Sequence, residues 1–231
     1  MAEFFTWSDI RTKIQNDLGV ADEVFVTETE LKAYANEAIR EAEAEIHDLY
    51  EDYFLSSATL TLVQDQSLYA LPTGIYAHKI RRIIYQFNST IYTIERLRDW
   101  RKFEQKAVID YYGNSTTDFY NYFITNTTPG SPQINLVPKA RVSGPYVTIW
   151  FIRDANVLVN DTDVCDIPEF VNFILQYMKV RVYEKEQNPN LQQAIAVLQQ
   201  QRELMQGTLA QMVPDADTAL EMDLSFYKEH S

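Results

Sequence analysis

Residues 166–213 read DIPEFVNFILQYMKVRVYEKEQNPNLQQAIAVLQQQRELMQGTLAQMV, and this stretch decides the fold. It opens Asp166-Ile167-Pro168-Glu169-Phe170, where a proline just inside a helix start loses no hydrogen bond, because its N–H would have no partner there. Phe170/Val171, Ile174/Leu175, Met178 and Val182 then recur at helical spacing. Asn188-Pro189-Asn190 is the one interruption, since proline cannot continue a helix. Leu191, Ala194/Ile195, Leu198, Met205, Leu209 and Met212 form the stripe of a second helix. The spacing predicts an αα-hairpin of about 45 residues, long enough to be the spine of a domain. No catalytic motif sits on it.

Upstream, the pattern predicts two further helices. Thr6 can cap the first, with Asp9 three residues on and Gly19 at its stop. Thr27 and Glu30 form a capping box for the second, whose stripe of Leu31, Ala35, Ala38/Ile39, Ala42 and Ile46 runs to about Tyr53. The small alanines permit close approach of another helix, within the chain or on a neighbour.

After Ser56-Ser57 the hydrophobic period changes from 3.6 to 2. Strands are expected at Ala58–Val63, Ser67–Pro72, Lys79–Phe87, Thr90–Ile94, Phe119–Thr125, Gln133–Val137 and Tyr146–Ile152. Leu97–Lys106 reads as a short helix, and Pro129-Gly130-Ser131-Pro132 as a loop. The short connections favour antiparallel pairing. The fold class is α+β: a helical bundle built from both chain ends, residues 1–57 and 161–213, with an inserted antiparallel β domain, residues 58–160. Residues 214–231 follow as an extended C-terminal arm. There Leu220, Met222, Leu224 and Phe226 alternate ahead of Tyr227, which suits a docking arm that adds to a sheet edge.

The 231 residues carry a net charge of −13, distributed as −10 over residues 1–57, +4 over 58–160 and −7 over 161–231. An acidic helical portion and a basic middle can attract each other across copies. The single cysteine, Cys165, excludes an intrachain disulfide and fits a reducing compartment. No run of apolar residues is long enough to span a membrane, and no basic-then-apolar leader opens the chain.

Signals for chemistry are thin. No glycine-rich phosphate cradle is present. His47, His78 and His230 lie far apart, without metal-ligand spacing, and are expected at the surface. Asp163 and Asp166 flank Cys165 and oppose a thiolate. Asp161, Asp163 and Asp166 are expected to cap the helix that follows. No catalytic residue, cofactor or metal site is assigned.

The densest basic region is Lys79–Lys106, with eight bases against three acids. Arg81, Arg82, Arg96, Arg98, Arg101 and Lys102 are its candidate partner-facing residues. Tyr85, Phe87, Tyr92 and Trp100 interleave with them, so the region fits a solvated face, contact with an acidic protein, or nucleic acid held by phosphate contacts and stacking. The acidity of the whole chain opposes the last of these.

Three segments resemble the tailed-bacteriophage head–tail adaptor proteins, also called connector or head-completion proteins. Leu31-Lys32-Ala33-Tyr34-Ala35-Asn36-Glu37-Ala38-Ile39-Arg40-Glu41 looks like the early helix of that family. Ser67–Pro72 followed by Lys79-Ile80-Arg81-Arg82-Ile83 looks like its first strands, and Asp166–Phe170 leading to Val180–Glu186 like its late helix. The resemblance implies a non-enzymatic structural virion protein, made in the host cytoplasm and placed at the portal–tail junction. It also implies a ring, typically of twelve subunits, that joins the portal protein to the downstream tail protein. DNA would pass through without sequence-specific contacts. The arm residues Leu220, Met222, Leu224, Phe226 and Tyr227 would then dock on the portal or a neighbour. The competing expectations are a soluble hydrolytic enzyme with an unidentified carboxylate pair, and an intracellular interaction module that uses Lys79–Lys106.

Overall fold

The computed structural model describes residues 5–19, 25–87, 90–97, 121–128, 131–137, 139–140, 143–144 and 146–212. The fold is mixed α+β, with four helices and two four-stranded sheets among the described residues. The chain divides into two compact units, one of Met1–Tyr53 with Ala155–Ser231 and one of Phe54–Asp154.

In the first unit, α1 spans Trp7–Leu18 and α2 spans Glu28–Leu49. Both start on complete capping boxes, in which the threonine side chain accepts the N3 amide and the N3 carboxylate accepts the cap amide. Thr6 pairs with Asp9 and Thr27 with Glu30 in this way. Helix α1 stops at Gly19, whose φ of 66° is the left-handed conformation that glycine adopts without strain.

Pro168–Phe170 forms a single 3-10 turn that leads into α3, Val171–Glu186, and α4 spans Leu191–Met212. Gln187 ends α3 at φ 54°, and the Asn190 amide donates to the Asn188 side chain at 3.0 Å. Helix α3 touches α1, α2 and α4, and α2 touches α1 and α4. Ala35, Ala38 and Ala42 are fully buried within the chain, so these contacts already use the close approach that small side chains allow.

The three aspartates before α3 do not cap it. Asp166 instead accepts from the backbone and side-chain amides of Asn156, at 2.7 and 2.9 Å. Asp163 accepts the amides of Val159 and Asn160, both at 2.7 Å. These bonds hold Ala155–Asp166 as a strap that turns back on itself at Asn160–Asp163. Its carbonyls at Asp163 and Asp161 accept the first free amides of α1, those of Trp7 and Ser8, at 2.9 and 3.1 Å. One face of α2 grips the strap from the other side. Lys32 donates to the Val159 carbonyl at 2.7 Å, and Glu43 accepts the Ala155 amide at 2.6 Å. Asn36 bonds both backbone groups of Leu158, at 3.0 and 2.8 Å. His47 lies one turn beyond Glu43 on that face and is buried rather than exposed, with Nε2 3.7 Å from the Glu43 carboxylate.

The acids of α2 are largely answered inside the unit. Lys185 reaches Glu30 at 2.7 Å, Arg181 reaches Glu37 at 3.3 Å, and Arg202 bonds both Glu41 and Glu45. The acidic face expected to seek a basic partner on another copy is therefore partly neutralised by α3 and α4. Each such exposed pair contributes only about 0–1 kcal/mol, so the apolar seam carries the packing and the pairs set its register.

The second unit holds β1 (Leu55–Thr61), β2 (Leu68–Ala70), β3 (Ile75–Phe87), β4 (Thr90–Thr93), β5 (Glu95–Arg96), β6 (Asn121–Thr128), β7 (Ser131–Val137) and β8 (Tyr146–Arg153). Ser131 and Pro132, expected in a loop, lie within β7. Sheet one has the order β1-β8-β3-β4 and sheet two the order β2-β7-β6-β5. All pairings are antiparallel except β5 with β6, which is parallel. One apolar cluster takes Ile83, Tyr85, Val147, Ile149 and Phe151 from sheet one and Tyr69, Tyr122, Ile134 and Leu136 from sheet two. The short helix expected at Leu97–Lys106 lies outside the described residues except for Leu97, which is not helical.

Two outcomes follow. Asn36→Ala strands both backbone groups of Leu158 and is expected to cost about 1–3 kcal/mol in urea unfolding, against about 1 kcal/mol or less for Lys32→Ala. The bond from Lys185, reinforced by the Thr27 cap, lowers the Glu30 carboxyl to about 2. A carboxyl lowered in the folded state stabilises above its ordinary value near 4.5 and loses that contribution as pH falls towards 2. Lys185→Ala is therefore expected to raise the acid-unfolding midpoint followed by circular dichroism.

Candidate functional site

The Lys79–Lys106 region is built on β3, and its geometry depends on a β-bulge. Ile80 faces Phe151 and Arg82 faces Trp150, so Arg81 is an extra residue in the ladder. A further irregularity lies between Ile75 and Ile80, where Ala77 and His78 take φ of 46° and 57°. Strict alternation would place Ile80 and Ile83 on opposite faces. The bulge restores them to the same side, so Ile83 is buried, Ile80 packs beside the same cluster, and both Arg81 and Arg82 are exposed.

The register then assembles the outward face of sheet one. Ser57, Trp150 and Arg82 form one row, and Thr59, Thr148, Ile84 and Thr93 the next. Thr61, Tyr146, Gln86 and Ile91 form a third. Arg82 Nη2 donates to Thr93 Oγ1 at 3.1 Å, which lays the guanidinium along the sheet. Trp150, Tyr146 and Ile91, on the same face with Thr148 and Gln86 between them, are 37%, 60% and 63% exposed, and large exposed side chains of this kind are what interfaces use. The four strands carry no acidic residue, and Arg82 is the cation that stands in these rows, with exposed Arg81 beside it at the bulge. The face is thus basic, aromatic and rich in hydroxyls within a strongly acidic chain.

This surface is not the one drawn from the linear basic region. Arg96 is exposed but belongs to β5, in the other sheet. Arg98, Arg101 and Lys102 lie outside the described residues, as do the arm residues Leu220, Met222, Leu224, Phe226 and Tyr227. Tyr85 is buried and its ring stands 6.0 Å from that of Tyr92 in the interior, so Tyr85 is not available for stacking on a base. The exposed aromatics come from β8. The alternation of Tyr146, Thr148 and Trp150 with Val147, Ile149 and Phe151 contained that signal.

Elsewhere the chemistry is sparse. Burial, followed by the nearby Asp166 and Glu169 carboxylates, pushes the Cys165 thiol up to about 11, away from thiolate formation. Burial and a 2.8 Å bond to Glu169 likewise raise the Tyr53 hydroxyl. A groove of about 260 Å³ between α3 and α4 is lined by Gln176, Lys179, Tyr183, Asn190 and Gln193, without a nucleophile and base in reach of one another. Among the described residues no group of three or more His, Cys, Asp or Glu side chains is placed to hold a metal ion. No helix there is long and apolar enough to cross a membrane.

A protein-family model described as SU10 adaptor protein matches residues 5–222 of the chain. No curated protein matches it.

The bulge gives this face a direct test. Arg81→Ser is expected to change stability by about 1 kcal/mol or less, as for other exposed positions. Deleting Arg81 puts either Ile80 or the Ile83/Tyr85 pair on the solvent side, a loss of about 1.5–3 kcal/mol for each fully buried side chain that is turned outward. Thermal unfolding of the two variants reads the difference.

Proposed function

From the premise that the chain belongs to the SU10 adaptor protein family, a phage head–tail adaptor family, we propose that it is a structural virion protein that joins the capsid portal to the tail. The observation that carries this reading is the extent of the match, residues 5–222, which takes in both units. In the proposed assembly the helices of residues 1–57 and 161–213 form a bundle that closes a ring, twelve subunits being the expected number. The β domain, residues 58–160, faces outward or towards the downstream tail protein. The α3–α4 hairpin supports a holding role, because Met205 and Leu209 are buried along it and Gln176 ties α3 to the Ala194 carbonyl at 2.8 Å.

DNA passes through the ring without sequence-specific contacts in this reading. The net charge of −13 suits such passage, since a lumen that repels phosphate does not hold the duplex. Arg81 and Arg82, with Arg96, Arg98, Arg101 and Lys102, meet an acidic protein surface. Leu220, Met222, Leu224, Phe226 and Tyr227 dock on the portal or on a neighbouring subunit.

Solution mass and negative-stain microscopy of the protein, alone and mixed with its portal, test the reading. Rings, or a monomer that forms rings on the portal, are the expected result. A chain that stays monomeric and binds neither portal nor tail protein would sink it.

A further inference from the structure

Among the described residues β1 is an edge strand of sheet one. It bonds β8 in uninterrupted register from Leu55–Ile152 to Thr61–Tyr146, and β8 lies on one side only. No further backbone hydrogen bond reaches Leu55–Thr61 from another described residue. The strand also lacks the usual protections of an edge. It carries no lysine, no proline and no bulge, and its sequence is Leu-Ser-Ser-Ala-Thr-Leu-Thr. Its burial reports the same opening. None of its seven residues is buried, and the inward-facing Ala58 and Leu60 touch the core cluster while remaining half covered. The adjacent β8 buries Val147, Ile149, Phe151 and Ile152.

The chain supplies a segment that fits this edge. Nineteen residues, 213–231, follow the end of α4 outside the described residues, and they hold five acids and one base. Within them Leu220, Met222, Leu224 and Phe226 alternate with Glu221, Asp223 and Ser225, the period of a strand with one apolar and one polar face. Set beside β1, the apolar row covers Ala58 and Leu60 and extends the cluster. The acidic row joins Ser57, Thr59 and Thr61 on the face that carries Arg82 and no carboxylate.

We propose that the open edge of β1 takes Ala219–Tyr227 of a second copy of this chain as an added strand, a joint between subunits made by backbone pairing. Main-chain bonds give such a joint its affinity, and alternate side chains give it specificity. The inference rests on the oligomeric reading above and assigns that reading a contact.

Disulfide trapping in the full-length protein tests it, because the only native thiol, Cys165, is 1% exposed. Protein carrying Ser57→Cys, Thr59→Cys or Thr61→Cys is mixed with protein carrying Asp223→Cys under mild oxidation. At least one pair is expected to give a cross-linked dimer, well above the yield with Thr93→Cys on the far edge strand β4. Yields no higher than the Thr93→Cys control overturn the proposal. So does a cross-link that forms only within one chain carrying both Thr59→Cys and Asp223→Cys. A second measurement needs no substitution: amide exchange across Leu55–Thr61 is expected to slow as protein concentration rises, and exchange that does not change with concentration counts against the joint. Solution mass on the unmodified protein separates the two failures. Rings without the cross-link overturn this contact alone, whereas a strict monomer that ignores the portal overturns the assembly.

Discussion

The side-chain amide of Asn36, bonded to both backbone groups of Leu158, is the contact on which the first unit depends. A strap that is not a strand has polar backbone groups with no ladder to receive them, and burying them unpaired is costly. Helix α2 supplies the partners from one face, with Lys32, Asn36 and Glu43 spaced so that each meets the strap in turn. The strap can then lie on α2, bury Leu158 and Cys165, and present its own carbonyls to the start of α1. Helix α3 begins where the strap ends. One row of polar side chains thus fixes where three helices meet, while the apolar seams supply most of the free energy.

The local signals were legible. Both capping boxes, the glycine stop of α1 and the break at Asn188–Asn190 are set by residues within a few positions of one another, so the sequence contains their partners. The order of elements followed from the change of hydrophobic period for the same reason. What could not be read depends on partners far along the chain. The bulge at Arg81 exists only relative to β8, and so does the exposure of both arginines. Arg82 and Arg96 are fourteen positions apart yet belong to different sheets. Asp163 and Asp166 precede a helix, which suggested caps, but the strap's own amides compete for them and win. His47 looked exposed because its helix is acidic, whereas its neighbour on the helix face is Glu43, which is drawn inward by the Ala155 amide.

Net charge was informative at the level of segments rather than of the whole. Much of the acidity of α2 is spoken for by Lys185, Arg181 and Arg202. The sheet with Trp150 and Arg82 has a different composition, and its four strands contain no acidic residue. A protein can therefore be acidic overall and still present a basic, aromatic surface where a partner of opposite charge would meet it.

The pairing of α2 with the strap also sets how much of the chain must be made before the first unit can close. The bonds from Asn36 to Leu158 span 122 positions, and that from Lys185 to Glu30 spans 155. The β unit, by contrast, is continuous from Phe54 to Asp154. During synthesis it has been made while α2 still lacks the strap, α3 and α4, and at about 5–20 residues per second α2 waits about 5–30 seconds for them. The finished β unit then shortens the effective loop that must close, which lowers the entropy cost of bringing the strap back to α2.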